Sequence, residues 1–160
     1  MSQQVTTRSF LERLAILEER VEAQARTGWQ RDELPFYPTS LHSMPYEDST
    51  TFEIVWETIL TPRSASLQLG LVTIGDQVAA VNTGGEWQVV LNDVTVALSG
   101  TIAATFSYQL PTGVISLAPY QGASQLKVQI KARRTSGATT GGKFGAGGAV
   151  AIAPRYARLI

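Results

Sequence analysis

Leu126-Lys127-Val128-Gln129-Ile130-Lys131 alternates apolar and polar side chains without a break. A period of two marks a β-strand with one dry and one wet face, because successive side chains of an extended chain point to opposite sides. The same period governs most of the sequence around it. In Thr101 to Leu110, Ile102, Ala104, Phe106, Tyr108 and Leu110 alternate with polar residues, which predicts one strand with those five on its dry face. Further back, Phe52, Ile54, Trp56 and Leu60 are expected on one face of a strand, and Leu67, Leu69 and Leu71 on one face of the next. Val78-Ala79-Ala80-Val81 reads as a short third strand, with Thr83-Gly84-Gly85 as a turn after it. Trp87, Val89 and Leu91 share a side of another, and Asn92-Asp93 turns the chain into Val94, Val96 and Leu98. Pro111-Thr112-Gly113 separates Leu110 from a short run at Val114 to Leu117. Beyond the opening stretch, a glycine-rich loop over 136–148 leads into a closing strand over 149–160, bent or bulged at Pro154. Roughly eight or nine short strands with turn signals every ~8–12 residues predict an antiparallel β-sandwich or jelly roll.

Ahead of these strands the period changes. Phe10, Leu14, Leu17 and Val21 recur at spacings of four, three and four, the apolar seam of a coiled coil. Ser9 with Glu12 forms a capping box at the start, and Gly28 marks the stop. A helix of about 18 residues spans about 27 Å and is marginal alone in water. The chain offers it no second helix, so copies of the chain are the expected partners; the alternative is a helix folded back on its own chain. Arg13 and Glu18 flank the seam, where neighbouring helices of a parallel bundle pair them. The mixed charge argues against a helix lying on a membrane surface.

Three segments follow from this pattern: an oligomerising stalk over 1–30, a proline-rich joint over 31–50 and a β-sandwich head over 51–160. The joint holds Pro35, Pro38 and Pro45, which fix φ and remove donors, so it is extended or turning. Phe36, Tyr37, Met44 and Tyr46 are its expected contact points on the head.

The 160 residues carry 13 basic and 13 acidic side chains, one histidine and no cysteine. Disulfides and thiolate metal sites are therefore excluded. The start of the chain lacks the basic-then-apolar pattern of a signal peptide, and no apolar run approaches the ~20 residues of a membrane helix. Charge is distributed unevenly. Every acidic residue lies at or before Asp93, while Val94 to Ile160 holds seven Lys or Arg. Either the early and late strands interleave and mix their charges, or the late strands present a basic surface to a polyanion or to the acidic half of a neighbouring chain.

Catalysis needs groups that titrate or attack, held within mutual reach. His42, beside Ser43 in the joint, has no placed acid partner. Glu53 and Glu57 are expected on one strand face, but four residues along a strand is ~13 Å. That exceeds the ~5–9.5 Å of glycosidase carboxyl pairs. Gly137-Ala138-Thr139-Thr140-Gly141-Gly142-Lys143 has the spacing of a phosphate-binding loop, yet Phe144 stands where Ser or Thr is needed and glycines follow where a helix must start. Asp76, Asn82 and Asp93 lack calcium-loop spacing. No enzymatic activity, metal or cofactor is expected.

The candidate ligand-binding residues are Lys127, Lys131 and Arg133 on the wet face of one strand, with Tyr120 as a freer aromatic. An ordinary soluble face, or lysines guarding an edge strand, accounts for the same stripe. Nucleic acid calls for a wider basic field with interleaved aromatics and is not expected as a partner. Trp56 and Trp87 fall on apolar strand faces and read as core, whereas Trp29, Tyr37 and Tyr46 are freer to stack on sugars or to pack the joint.

A capped N-terminal coiled coil, an aromatic and proline-bearing joint, and a β-head closed by a glycine-rich loop and a final strand resemble small tail, fibre or capsid-decoration proteins of tailed bacteriophages. The phrase Leu126-Lys127-Val128-Gln129-Ile130-Lys131-Ala132-Arg133-Arg134-Thr135-Ser136-Gly137 is similar to the last hairpin of such heads. The resemblance implies a homotrimer located in the virion. Its stalk would be fixed to other virion proteins, and its head turned to a host cell-surface glycan, an anionic polymer or a neighbouring capsomer. It implies neither membrane insertion nor a signal peptide. The competing reading is a free-standing carbohydrate- or anionic-polymer-binding module.

Overall fold

The computed structural model describes residues 15–19, 44–78, 80–137 and 148–160. The chain divides into two units, Met1–Leu34 and Pro35–Ile160. Of the expected stalk, residues 15–19 are described; they are helical and exposed, with Leu17 58% exposed. Phe10, Leu14 and Val21 lie outside the described residues, as do Trp29, Tyr37, His42 and residues 138–147 of the glycine-rich loop.

The second unit is built of β1 (Tyr46–Glu47), β2 (Glu53–Leu60), β3 (Ser66–Gly75), β4 (Gln77–Val78), β5 (Val81–Asn82), β6 (Gly85–Leu91), β7 (Thr95–Ile102), β8 (Thr112–Ser116), β9 (Leu126–Arg134) and β10 (Val150–Leu159). Eight of these form two antiparallel four-stranded sheets, in the orders β1-β10-β3-β8 and β2-β9-β6-β7. The other two, β4 and β5, make a separate small ladder. The pairing is nested: β1 with β10, β2 with β9, β3 with β8, and β6 with β7 at the innermost turn. Asn92 and Asp93 make that turn with φ of 49° and 65°, the left-handed geometry that Asn and Asp tolerate best among non-glycine residues.

The inward positions of both sheets meet in one apolar layer. Leu67, Leu69 and Leu71 of β3, Val150 and Ile152 of β10 and Ile115 of β8 face Trp87, Val89 and Leu91 of β6 and Leu126, Val128 and Ile130 of β9. The strand containing the clean alternation, β9, lies in the interior of its sheet, paired on both sides. A second cluster sits on the outer face of the other sheet, where Met44 covers Val72, Ile74 and Ala151, with Tyr46 and Ala153 at its margin. β3 is therefore buried on both faces over most of its length, which explains its near-continuous apolar run. The head accordingly takes in Met44 to Glu47, residues the sequence assigns to the joint.

Two expectations about faces are corrected. The register of β2 shifts between Ile54 and Trp56, so Ile54 stands opposite Lys131 on the outer face while Trp56 stands opposite Ile130 on the inner one. This bulge also moves Glu53, opposite Ala132, off the face of Glu57, opposite Gln129. Trp56 remains partly exposed at the rim, and its Nε1 donates to the Ile152 carbonyl at 2.9 Å, tying one sheet to the other. The second correction concerns Thr101 to Leu110, which is not one strand. β7 ends at Ile102, and the chain bends at residues 104–107 to cross from one sheet to the other. Gln109 then bridges Thr73, and the Leu71 N–H donates to the Pro111 carbonyl, so residues 109–116 follow β3 in one register. In that register Ile115 faces the core, and Leu110 and Val114 face outward. Phe106, Tyr108 and Leu110 are exposed, not dry.

Two glycines are placed by aromatic cross-strand neighbours. Trp87 pairs with Gly100 and Tyr156 with Gly70, and each ring occupies the space a side chain would need. The register of β10 shifts between Pro154 and Tyr156, at the expected bulge.

Leu126→Ala, which empties a fully buried position, is expected to cost about 2–5 kcal/mol in chemical denaturation, while Ile59→Ala, on the exposed outer side of β2, should change stability by less than about 0.5 kcal/mol. Gly100→Val forces Trp87 out of its place and should cost about 1–3 kcal/mol. A near-native unfolding midpoint for Leu126→Ala would contradict the shared inter-sheet core.

Candidate interaction surfaces

The wet face of β9 is the outer face of its sheet, and the sequence-selected cations sit along it in a row. Nested pairing sets β2 on one side of β9 and β6 on the other, and both strands bring acids. The Arg133 guanidinium donates to Glu86 Oε2 from Nη2 at 2.6 Å and from Nε at 2.9 Å, and lies 4.5 Å from the centre of the Phe52 ring. Lys127 Nζ donates to Asp93 Oδ2 at 3.0 Å, where the β6–β7 turn comes beside the start of β9. Between them Gln129, only 1% exposed, donates from Nε2 to Glu57 Oε2 at 2.7 Å. Lys131 stands opposite Gln88 and Ile54 and has no ion-pair partner among the described residues.

The late cations thus meet early acids, and the row reads as alternating pairs instead of a basic stripe. Both ion pairs are substantially exposed, and pairs of this kind each contribute little to stability. Among the described residues, Lys131 is the cation of this row whose charge is not taken up in an ion pair. Tyr120 is not part of this row. It ends the 3-10 turn Ala118–Tyr120 and packs against the inter-sheet core, half-buried. The partners Glu57, Glu86 and Asp93 escaped selection from the sequence. The signal for Glu86 and Gln88 was present, since they alternate with the core-facing Trp87 and Val89.

Two hollows open among the described residues. One, of about 250 Å³, is lined by Phe52, Glu86, Gln88, Ser99 and Thr101 beside the Arg133–Glu86 pair, together with Trp87 and Gly100. Its side chains offer hydroxyl, amide and carboxylate groups next to an aromatic ring, the chemistry that holds a hydroxylated ligand. The other, of about 180 Å³, opens between β2 and β10 among Trp56, Leu60, Leu67, Leu69, Ile130 and Pro154. It is apolar and smaller than the ~300–1,000 Å³ of most small-molecule sites, enough for a single ring or a short alkyl group.

Among the described residues no three His, Cys, Asp or Glu side chains converge as metal ligands. Asp76 is buried at the corner after β3, where its Oδ1 accepts the Gln77 N–H at 2.8 Å. The described residues contain no helix long and apolar enough to cross a membrane. No protein-family model matches the chain, and no curated protein matches it.

The hydrogen bond from Lys127 holds the Asp93 carboxyl below its ordinary 3.8; the lysine charge acts in the same direction and partial desolvation opposes it. The same hydrogen bond raises Lys127 above its ordinary 10.5. The pair therefore stabilises the fold above the ordinary carboxylate value and loses that contribution as pH falls through the lower folded value of Asp93. On the alkaline side its contribution is full below 10.5 and fades as pH rises through the raised value of Lys127. An NMR titration should place the Asp93 midpoint below 3.8, and Lys127→Met should return it to the ordinary range. A midpoint at or above 3.8 in the unmodified chain would show that the pair does not form in solution.

Proposed function

We propose that the chain is a homo-oligomeric structural protein of a phage-like virion, with its N-terminal heptads as the assembling stalk and its β-head turned to neighbouring virion proteins or to a host surface. The observation that carries this reading is the nested strand pairing. Numbered among the eight main strands, first pairs with last, second with seventh, third with sixth and fourth with fifth. That is the connectivity of a jelly roll, a fold that builds viral capsid and lectin domains. A fold by itself hosts many functions, so the stalk pattern Phe10, Leu14, Leu17, Val21 supplies the second support. Homotrimeric assembly comes from the resemblance to phage fibre and decoration proteins.

On this reading the chain is not an enzyme and needs no cofactor. Host contact would be made by the outer face of the β2-β9-β6-β7 sheet, through Lys131 and the adjoining hollow at Phe52 and Gln88. That hollow is also the specific feature that favours the alternative of a free-standing carbohydrate-binding module.

Light scattering on the full chain separates the two. The virion reading predicts a mass about three times the 17.3 kDa of one chain. Replacing Leu14 and Leu17 together by Asn should reduce it. A full chain that is monomeric at micromolar concentration would sink the virion reading, and a glycan screen would then test the binding module.

A further inference from the structure

The flank of the head formed by the two edge strands β7 and β8 carries no charge. From Val94 to Leu126 there is no Asp, Glu, Lys, Arg or His, and this run contains all of β7, the crossing between the sheets and all of β8. Edge strands present unpaired backbone groups, and monomeric proteins blunt them with lysines, prolines or inward charges. Here β8 has Thr112, Gly113, Val114, Ile115 and Ser116, with Pro111 just before it.

The flank also presents large apolar groups. Phe106 is 52% exposed, Tyr108 42%, Leu110 45% and Val114 54%. Leu110 and Val114 lie outward in the register that residues 109–116 share with β3, on the same face as the buried Val72 and Ile74. They are the uncovered continuation of the apolar face that Met44 closes further along. Phe106 is displayed on a braced loop. Gln109 Oε1 accepts the Ala103 N–H at 2.9 Å, its Nε2 donates to the Ala103 carbonyl at 3.4 Å, and the Thr105 and Ser107 hydroxyls are 3.0 Å apart. An aromatic held out by a fixed loop base loses little entropy on contact and serves as an anchor.

We infer that this flank is the surface on which a second copy of the chain docks head to head. Around a symmetry axis the residues nearest the axis meet their own copies. A charge there faces its own sign and costs energy, whereas Thr, Ser and Gln both donate and accept and can pair with themselves. A long uncharged stretch rich in those residues and in apolar groups suits self-contact, and no complementary charge would recommend a different partner. The four half-exposed side chains offer on the order of 300–400 Å² of surface. That is a fitting core for the roughly 800 Å² each partner gives to a standard interface. The inference shares with the virion reading only that the chain self-associates, and it locates a contact that does not depend on the stalk.

Because the chain has no cysteine, single introduced thiols report contact cleanly. Val114→Cys in the full-length chain, treated with a short bismaleimide, should give several-fold more covalent dimer on a denaturing gel than Ile59→Cys. Ile59 is a fair control, since it is 56% exposed on the edge strand β2 in the other sheet. Adding Leu110→Lys should abolish the Val114→Cys product, with circular dichroism checking that the head stays folded. A trimeric mass without preferential crosslinking at Val114 would overturn the inference and leave the stalk reading standing. Crosslinking at Val114, combined with a mass unaffected by Asn at Leu14 and Leu17, would uphold the inference and overturn the stalk reading. Equal or greater crosslinking at Ile59 would place the contact elsewhere and overturn it as well.

Discussion

The head rests on one apolar layer shared by two sheets. Leu71, Leu91, Leu126 and Ile152 lie in it with almost no exposure, and they come from four strands spread over more than half of the chain. Because the pairing is nested, the layer closes only when early strands find late ones: β2 must meet β9, and β3 must meet β10. Most of the stabilising area is buried through contacts remote in sequence, so the hydrophobic gain arrives late against a large loop-closure cost. Two features secure the layer at its margins: Trp56 donates across it to the Ile152 carbonyl, and the Trp87 ring closes over Gly100 beside it.

The same nesting governs the electrostatics. A chain whose acids all lie at or before Asp93 and whose last third is purely basic would form two opposed patches if its halves packed as blocks. Interleaving prevents this. β9 lies between β2 and β6, so Glu57, Glu86 and Asp93 are each delivered to a partner on β9 or its start. The outer face of that sheet is consequently a mosaic of paired charges, and Lys131, with no ion-pair partner among the described residues, stands out by contrast.

The opposite flank obeys another rule. The crossing from β7 to β8 changes sheets, and a strand cannot do this while keeping its alternation. The chain bends at residues 104–107, and the Gln109 side chain takes up both backbone groups of Ala103. Past the bend the parity has flipped. The apolar side chains that a straight strand would have buried, Tyr108 and Leu110, therefore emerge on the surface. A hydrophobic pattern conserved in period but inverted in phase converts potential core into potential interface.

The mostly-β class of the head and much of its strand content were legible in the sequence. Alternation in Leu126 to Lys131, the Asn92-Asp93 turn, and the break at Pro154 are local signals, because they depend on side-chain parity and on φ at single residues. The assignment of Lys127, Lys131 and Arg133 to one exposed face was legible for the same reason. Three matters needed the tertiary structure. The bulge between Ile54 and Trp56 depends on how β2 meets β9, and parity beyond a bulge cannot be counted from one strand alone. Met44 and Tyr46 were legible as contact points on the head and pack on the outer face of β3 and β10, but that Tyr46–Glu47 joins the sheet as a strand beside β10 depends on the register of β10, which no local pattern in the joint records. The pairing of each cation with its acid depends on which strands become neighbours. Strand adjacency is set by the packing of the whole apolar layer, and that is a property of the closed fold rather than of any segment of the chain.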